Sequence, residues 1–229
     1  RSPLTSILFL AETLQRGQSG DVNEVQHRQL GLIYSAALGL STIVSDAIEL
    51  ARGGNELADT DVTPFSLTEL LESALTIVRP LAEEKGLALR MVAPGSDRRL
   101  GHPVALSRVL LNLTTNAIKF TERGFVEIAC DELRGDRVVM SVQDTGPGVN
   151  PEALASLFQP FRRARDRGGY CFSGTGLGLA ISRKLVEALG STLKLETRPG
   201  WGTRFFFELH LPAHPPTLTA VAGAAAAED

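Results

Sequence analysis

The sequence predicts an α+β protein: a helical hairpin that forms a dimeric four-helix bundle, followed by an α/β sandwich with a mainly antiparallel sheet. Two observations predict this architecture. Apolar residues recur at alternating spacings of three and four as far as Ala51, which is typical of helices in a bundle. From Ser66 onward, runs with helical spacing alternate with runs rich in β-branched residues, which indicates helices packed on a sheet.

The composition is that of a globular protein. The chain has 229 residues, of which 43% are hydrophobic and 21% charged, enough for one or two domains. The net charge of −3 gives no reason to expect nucleic-acid binding. No apolar run is long enough to span a membrane, so we expect a cytoplasmic segment without membrane contact, and the sequence leaves open a sensor or membrane region upstream. Cys130 and Cys171 are too few and too far apart for a zinc site.

The hairpin is predicted over residues 1–55. Its first helix runs to about residue 16, with an apolar stripe formed by Leu4, Ile7, Ala11 and Leu14. Asp21 and Glu24 have the spacing of a capping box and are expected to begin the second helix, whose apolar stripe runs from Leu30 through Leu40 to Ala51. One thin hairpin cannot bury such a stripe and two can, so the pattern predicts a homodimer.

The second domain is predicted over residues 65–212, after a polar linker at 56–64 and before a Pro/Ala-rich tail at 213–229 that we expect to be disordered. Ser66 and Glu69 form a capping box that begins its first helix. The further predicted helices cover 103–121 and about 178–188, and the predicted strands cover 87–92, 125–130, 137–144, 192–197 and 203–211.

Three segments carry residues typical of ligand binding. The first is the glycine run Gly174–Gly178, in which every second residue is glycine. This spacing suits a backbone that approaches a ligand and then enters a helix, where free N–H groups and the positive end of the helix dipole favour a phosphate. Taken alone the run is a weak signal, because glycine-rich turns are common.

The second segment is a β-rich run that ends at Asp144 and is followed by Gly146, Pro147 and Gly148. A carboxylate at a strand end can accept a hydrogen bond from an exocyclic amine such as that of adenine, and flanking glycines let a flat ring lie against the backbone. The alternative is a hairpin turn with a solvated aspartate.

The third segment is a predicted helix that carries Asn112, Asn116 and Lys119 on one side, at positions i, i+4 and i+7. Because asparagine favours caps and turns, two inside one helix call for a reason. A neutral oxygen ligand for Mg²⁺ and a nearby cation for phosphate would supply it. A merely polar helix face explains any one of these residues, but it explains the set poorly.

In this order, the segments resemble the kinase core of a bacterial sensor histidine kinase of the two-component type, with an ATP-binding domain of the gyrase/kinase ATPase superfamily. The resemblance covers nearly the whole chain. The matching motifs are the end of the H box (Arg1–Leu4), the N box (110–120), the first glycine box (144–148), the F box (157–163), the second glycine box (174–178) and the closing turn (200–205).

The resemblance implies a role for each matching residue. Asn116 would coordinate Mg²⁺ with Asn112 beside it, while Lys119 and the F-box Arg163 would meet the phosphates of ATP. The second glycine box would contribute Gly174, Thr175, Gly176, Leu177 and Gly178 to the phosphate site. At the adenine end, Asp144 would accept the amine, supported by Gly146, Gly148 and Thr203. Phe120 would pack against the base or, equally, belong to the core. His102 stands where this family often has Asp, which we take as the loss of a carboxylate near the nucleotide.

The resemblance also implies a reaction: transfer of the ATP γ-phosphate to a histidine of the dimerisation helix, then to an aspartate of a response regulator. In the family pattern that histidine lies three residues before Arg1, outside the sequence given, so we expect this chain as written not to autophosphorylate. One alternative is a catalytically silent nucleotide-binding dimeric module. Another is an ATPase such as gyrase or a mitochondrial protein-serine kinase, against which the hairpin argues.

Overall fold

The hairpin opens the chain. A computed structural model describes residues 2–31, 33, 34, 37, 44, 61–154, 156–160 and 176–214. Helix α1 covers Ser2–Gln15, and α2 covers residues 24–31. Residues 33, 34, 37 and 44 are also helical. The rest of the predicted second helix, Leu40 and Ala51 included, lies outside the described residues.

Helix α2 begins with a capping box two residues later than predicted. The Asn23 side chain accepts a hydrogen bond from the Gln26 N–H at 2.8 Å, and the Gln26 side chain accepts one from the Asn23 N–H at 2.9 Å. The expected pair, Asp21 with Glu24, is therefore wrong. Both pairs have the same spacing, and asparagine caps a helix as well as aspartate does, so spacing alone could not choose between them.

The remaining part of the described chain forms one layer of helices on a sheet. In chain order its elements are β1 (Thr63–Ser66), α3 (Leu67–Glu84), β2 (Ala88–Val92), β3 (Arg98–Gly101), α4 (Pro103–Phe120), β4 (Phe125–Glu132), β5 (Arg137–Asp144), α5 (Pro151–Leu154), α6 (Gly178–Ala188), β6 (Lys194–Arg198) and β7 (Gly202–His210). The main sheet has the order β2-β4-β5-β7-β6. Only the β2–β4 pair in it is parallel, so the predicted mainly antiparallel sheet is confirmed.

The core lies between this sheet and its helices. Alternate residues of β5, namely Val138, Met140 and Val142, are buried, as the period of two in a strand requires. Helix α4 presents its own buried stripe to them and contacts both α3 and α6. Cys130 lies in this core, and burial raises the pKa of its thiol to about 12. None of the helices within the described ranges has the length and apolar composition to cross a membrane.

Helix α3 begins as the sequence predicts. The Ser66 side chain accepts a hydrogen bond from the Glu69 N–H at 3.0 Å. A second cap, which the sequence did not indicate, comes from Asp97, whose Oδ1 accepts from the Thr68 N–H at 2.7 Å. Two of the N–H groups that a helix start leaves without partners are therefore satisfied.

A small second sheet at the edge of the domain was not predicted. Strand β1 pairs antiparallel with β3, so Thr63 and Pro64 belong to a strand and not to the expected linker. The chain after β7 also pairs with β3: the His214 N–H donates to the Arg98 carbonyl at 3.0 Å, and Ala213 forms a bridge with Arg99. The expected disorder is therefore wrong for residues 213 and 214, and residues 215–229 lie outside the description.

The buried side chain of Arg99 explains why this segment is ordered. Its guanidinium lies 2.6 Å from Glu132, 3.2 Å from Asp136 and 3.2 Å from the carbonyl of Leu211. A buried charge needs such partners, and they come from residues distant in sequence. No local pattern could have revealed them.

Candidate functional site

Asp144 is the centre of one end of the candidate site. It ends β5, opposite Thr203 of β7, and only 7% of it is exposed. Its Oδ1 accepts a hydrogen bond from the Gly146 N–H at 2.8 Å. Burial raises the pKa of this carboxyl, and the backbone N–H groups of Gly146 and Thr203 oppose the rise. A solvated aspartate, the alternative considered from the sequence, does not describe a side chain in this position.

Glycines let neighbouring backbone approach this carboxylate. A Cβ added at Gly146 would lie 2.9 Å from Asp144 Oδ1. Gly148 has φ +78°, and a Cβ there would lie 2.5 Å from the carbonyl oxygen of Arg198. The first glycine box therefore packs directly on the turn between β6 and β7. Thr203 follows that turn and is buried, with its hydroxyl 3.3 Å from that of Thr197.

The polar side of α4 forms the other end of the site. Asn112, Asn116 and Lys119 are half-buried on this helix. Asn112 Nδ2 lies 3.5 Å from the carbonyl oxygen of Gly178, where α6 begins, so the N box and the second glycine box are in contact. Within the described residues, the Asn116 side chain has no hydrogen-bond partner.

Phe120 ends α4 and is 41% exposed, so the interpretation of this residue as core is wrong. The Lys119 ammonium lies 5.0 Å from the centre of its ring, within range of a cation–π contact. The same turn touches the first glycine box, since a Cβ at Gly146 would lie 3.2 Å from the Phe120 carbonyl oxygen. The end of α4 and Asp144 therefore border one site.

The second glycine box is described in part. Gly174, Thr175 and Arg163 lie outside the described residues. Leu177 is fully buried, so its side chain belongs to the core. The F-box residue Phe158 packs edge-on against Phe205 of β7, with ring centroids 6.4 Å apart. This contact holds Phe158 of the F box against the sheet.

Two residues near α4 change the interpretation of the site. His102 is the N-cap of α4, fourteen residues before Asn116 and thus about 20 Å along the helix axis. The expectation that His102 removes a carboxylate near the nucleotide is therefore wrong.

Sequence reasoning missed Lys85, whose ammonium donates to carbonyls at the end of α4. A lysine after a helix is common, so no sequence signal pointed to it.

Known proteins share both parts of this architecture. Residues 1–56 match the His Kinase A (phospho-acceptor) domain, and residues 101–214 match the family described as histidine kinase-, DNA gyrase B- and HSP90-like ATPase. The chain therefore belongs to the sensor histidine kinases, and it carries the core that two-component kinases share.

Individual relatives agree. The chain is 36% identical over 217 residues to the sensor histidine kinase AruS of Pseudomonas aeruginosa, covering 92% of this chain and 21% of AruS. It is 34% identical over 218 residues to the sensor histidine kinase GacS of Pseudomonas protegens, covering 93% of this chain and 23% of GacS. The chain thus spans less than a quarter of the length of these relatives.

A solved structure shows the same fold. The crystal structure of full-length ShkA in complex with AMPPNP superposes with a TM-score of 0.76 at 30% identity, covering 93% of this chain and 44% of ShkA. AruS and GacS are named as sensor histidine kinases. The ShkA structure holds an ATP analogue. The comparisons therefore give no support to the silent-module alternative.

Proposed function

We propose that this chain binds ATP with Mg²⁺ and transfers the γ-phosphate to a histidine of the dimerisation helix, from which it passes to an aspartate of a response regulator. The observation that carries the proposal is the buried carboxylate of Asp144, which accepts backbone N–H groups and has no cation beside it in the described part of the chain. Such a carboxylate has accepting capacity left for a donor from a ligand.

The buried carboxylate of Asp144 defines where adenine binds in this proposal. The exocyclic amine of adenine donates to Asp144, and the hydrogen bond offsets part of the cost of keeping that charge buried. The glycines of the first box let the backbone turn tightly beside the carboxylate, and a flat ring can lie against this turn. Phe120 lies at the mouth of the same region with an exposed ring that can pack on the base.

The phosphate end is formed by the polar side of α4. The amide oxygen of Asn116 is a suitable ligand for a hard cation, and it has no competing partner in the described residues. Bound Mg²⁺ would neutralise charge that develops on the phosphates. Lys119 supplies a second positive charge on the same side of the helix, and Arg163 of the F box a third. Phosphoryl transfer depends mostly on such positioning and neutralisation.

The hairpin supplies the dimer interface. Ile7, Leu10 and Leu14 lie on one side of α1 and are 42%, 57% and 36% exposed, respectively. A second copy of the hairpin covers these side chains. Phe9 lies about 100–160° around the helix from them and is 65% exposed. We assign Phe9 to the contact with the response regulator, because the dimer interface leaves it uncovered.

Isothermal titration calorimetry tests the adenine assignment. Asp144→Asn is expected to lower the affinity for ATP with Mg²⁺ about 5- to 150-fold, because a buried hydrogen bond to a charged group is lost. Asp97→Asn is a matched control: the same exchange, at a carboxylate that also accepts a backbone N–H, but at the start of α3. Unchanged affinity in Asp144→Asn would overturn the adenine assignment.

Labelling with γ-labelled ATP tests the transfer. The polypeptide of residues 1–229 is expected to remain unlabelled, because none of its four histidines precedes a Leu-Arg-Ser-Pro sequence. Adding His-Asp-Leu before Arg1 is expected to restore a label that is lost in acid and kept in base. Adding Asn-Asp-Leu is the control. If the chain extended by His-Asp-Leu binds ATP but stays unlabelled, the catalytically silent nucleotide-binding module becomes the better description.

A further inference from the structure

Lys85 connects the ends of two helices. It is the C-cap residue of α3, and its Nζ donates to three carbonyl oxygens at the end of α4. These belong to Ile118 at 2.9 Å, Lys119 at 2.7 Å and Thr121 at 3.3 Å. The interaction joins residues 33 to 36 positions apart in sequence.

The location suits an ammonium group for a physical reason. The last carbonyls of a helix lack intrahelical partners and carry the negative end of the helix dipole. Lys85 satisfies three carbonyls with one charged group, and hydrogen bonds from a charged donor are stronger than neutral ones. The hydroxyl and the N–H of Thr121 both bond to the Ala117 carbonyl, at 2.7 and 3.0 Å, so the turn is held from both sides.

This last turn of α4 is also the part that borders the candidate site. It carries Lys119 and Phe120, whose side chains face each other, and its backbone lies against Gly146. Asp144, in contrast, is held by the pairing of β5 with β7, which does not involve Lys85. A displacement of the turn would therefore move Lys119 and Phe120 and leave the carboxylate of Asp144 in place.

We propose that Lys85 is a positioning residue for the phosphate end of the site: it fixes the backbone of Lys119 and so the place of that ammonium, without touching the nucleotide. The inference rests on the proposed ATP-binding function. A purely structural cap would lower stability without discriminating between parts of the ligand. A positioning residue lowers the affinity for the phosphates more than the affinity for the nucleoside.

The test compares two ligands across matched variants. Lys85→Met keeps an unbranched apolar side chain and removes the ammonium donors. We expect its affinity for ATP with Mg²⁺, measured by calorimetry, to fall about 5- to 10-fold, the size of one net hydrogen bond. Its affinity for adenosine, measured by ligand-observed NMR, should fall by a smaller factor, because Asp144 keeps its place. Ser66→Ala removes the cap at the opposite end of α3 and is expected to change neither affinity.

A double-mutant cycle tests whether Lys85 acts through Lys119. In a Lys119→Met background, Lys85→Met should weaken ATP binding by less than about twofold, since the effects of coupled residues are not additive. Effects that multiply, or an equal loss for adenosine, would overturn the inference. If Lys85→Met does not fold, Lys85→Gln is measured against the same criteria.

Different results would contradict the role of Lys85 and the proposed nucleotide site. If Lys119→Met weakens ATP binding and Lys85→Met leaves it unchanged, the Lys85 inference alone is wrong. If both Lys119→Met and Asp144→Asn leave ATP affinity unchanged, the proposed nucleotide site is wrong, and the Lys85 inference with it.

Discussion

The backbone of Asp144 lies against Gly202 so closely that no other residue fits at position 202. A Cβ there would be 1.9 Å from the Asp144 carbonyl oxygen and 2.9 Å from its carbon, and Gly202 has φ +114°. Both atoms that would have to move belong to the backbone of β5. The end of this strand therefore holds its carboxylate in place through contact with a glycine of β7.

Gly202→Ala is expected to lower the free energy of unfolding by about 3 kcal/mol or more, because steric overlap adds to the strain of an unfavourable φ. Urea denaturation measures the change. Gly135→Ala is the matched control: Gly135 has φ +69° but has nothing within 4 Å of an added Cβ. Its expected cost is only about 1–2 kcal/mol, from the left-handed backbone alone. Equal costs at the two positions would contradict the close contact.

The stability of the protein without nucleotide should depend on the ionisation of Asp144. Burial raises the pKa of this carboxyl above its ordinary value of 3.8, so the folded state holds the proton to higher pH than the unfolded state does. The resulting stabilisation is complete below pH 3.8 and is lost as pH rises through the raised pKa. Asp144→Asn removes this dependence, because an amide does not ionise.

We therefore expect Asp144→Asn to be more stable than the parent at neutral pH, and to lose this advantage in acid. Thermal unfolding of both proteins across the pH range, without nucleotide, measures the difference. The loss of ATP affinity in the same variant would then be a loss of recognition and not of folding. A variant less stable than its parent at neutral pH would contradict the raised pKa.

Helix α4 lacks a side-chain cap at its start. His102 occupies the N-cap position and makes no capping hydrogen bond there, and its Nδ1 is buried without a partner in the described structure. His102→Asp is expected to raise the free energy of unfolding by about 0.5–2 kcal/mol, because aspartate caps helices and complements the dipole. His102→Ala, which also lacks a cap, should give no such gain. Since His102 is distant from Asn116, neither variant should change ATP affinity.

The exposed stripe of α1 predicts which substitutions dissociate the dimer. Ile7→Asp places a charge among Leu10, Leu14 and their counterparts in the second copy, where burying it unpaired costs several kcal/mol. Light scattering should report a monomer. Phe9→Asp makes the same kind of exchange outside the stripe and should leave the dimer intact, while slowing transfer to the regulator in the chain extended by His-Asp-Leu. A monomeric Phe9→Asp would show that the interface is misplaced.

Local patterns were sufficient for the elements that surround the site. The strand predicted at 137–144 has the observed bounds of β5, and Ser66 caps α3 as its spacing indicated. These features depend on periodicity and on residues three apart, which a sequence displays directly. Asp144 could be singled out because a strand pattern stopped at an acid next to glycines.

Contacts between distant residues could not be predicted. The β1–β3 sheet, the guanidinium of Arg99 and the ammonium of Lys85 each depend on partners brought together by the fold. Nothing in the neighbourhood of Lys85 indicates that it reaches the end of α4. The prediction for the start of α2 was wrong for another reason: two overlapping pairs have equal spacing, and spacing alone does not distinguish them.

The pairing of β3 on both of its edges has a mechanical consequence. Strand β1, where the chain enters the domain, and residues 212–214, where it leaves, hold opposite sides of β3. Arg99 ties β3 to Glu132 and Asp136, at the end of the β4–β5 hairpin remote from Asp144. The length of β5 separates the two ends by about 25 Å. Tension transmitted along the polypeptide from either side is therefore borne by β3 and its arginine anchor, and the end of the sheet that holds Asp144 carries little of the load.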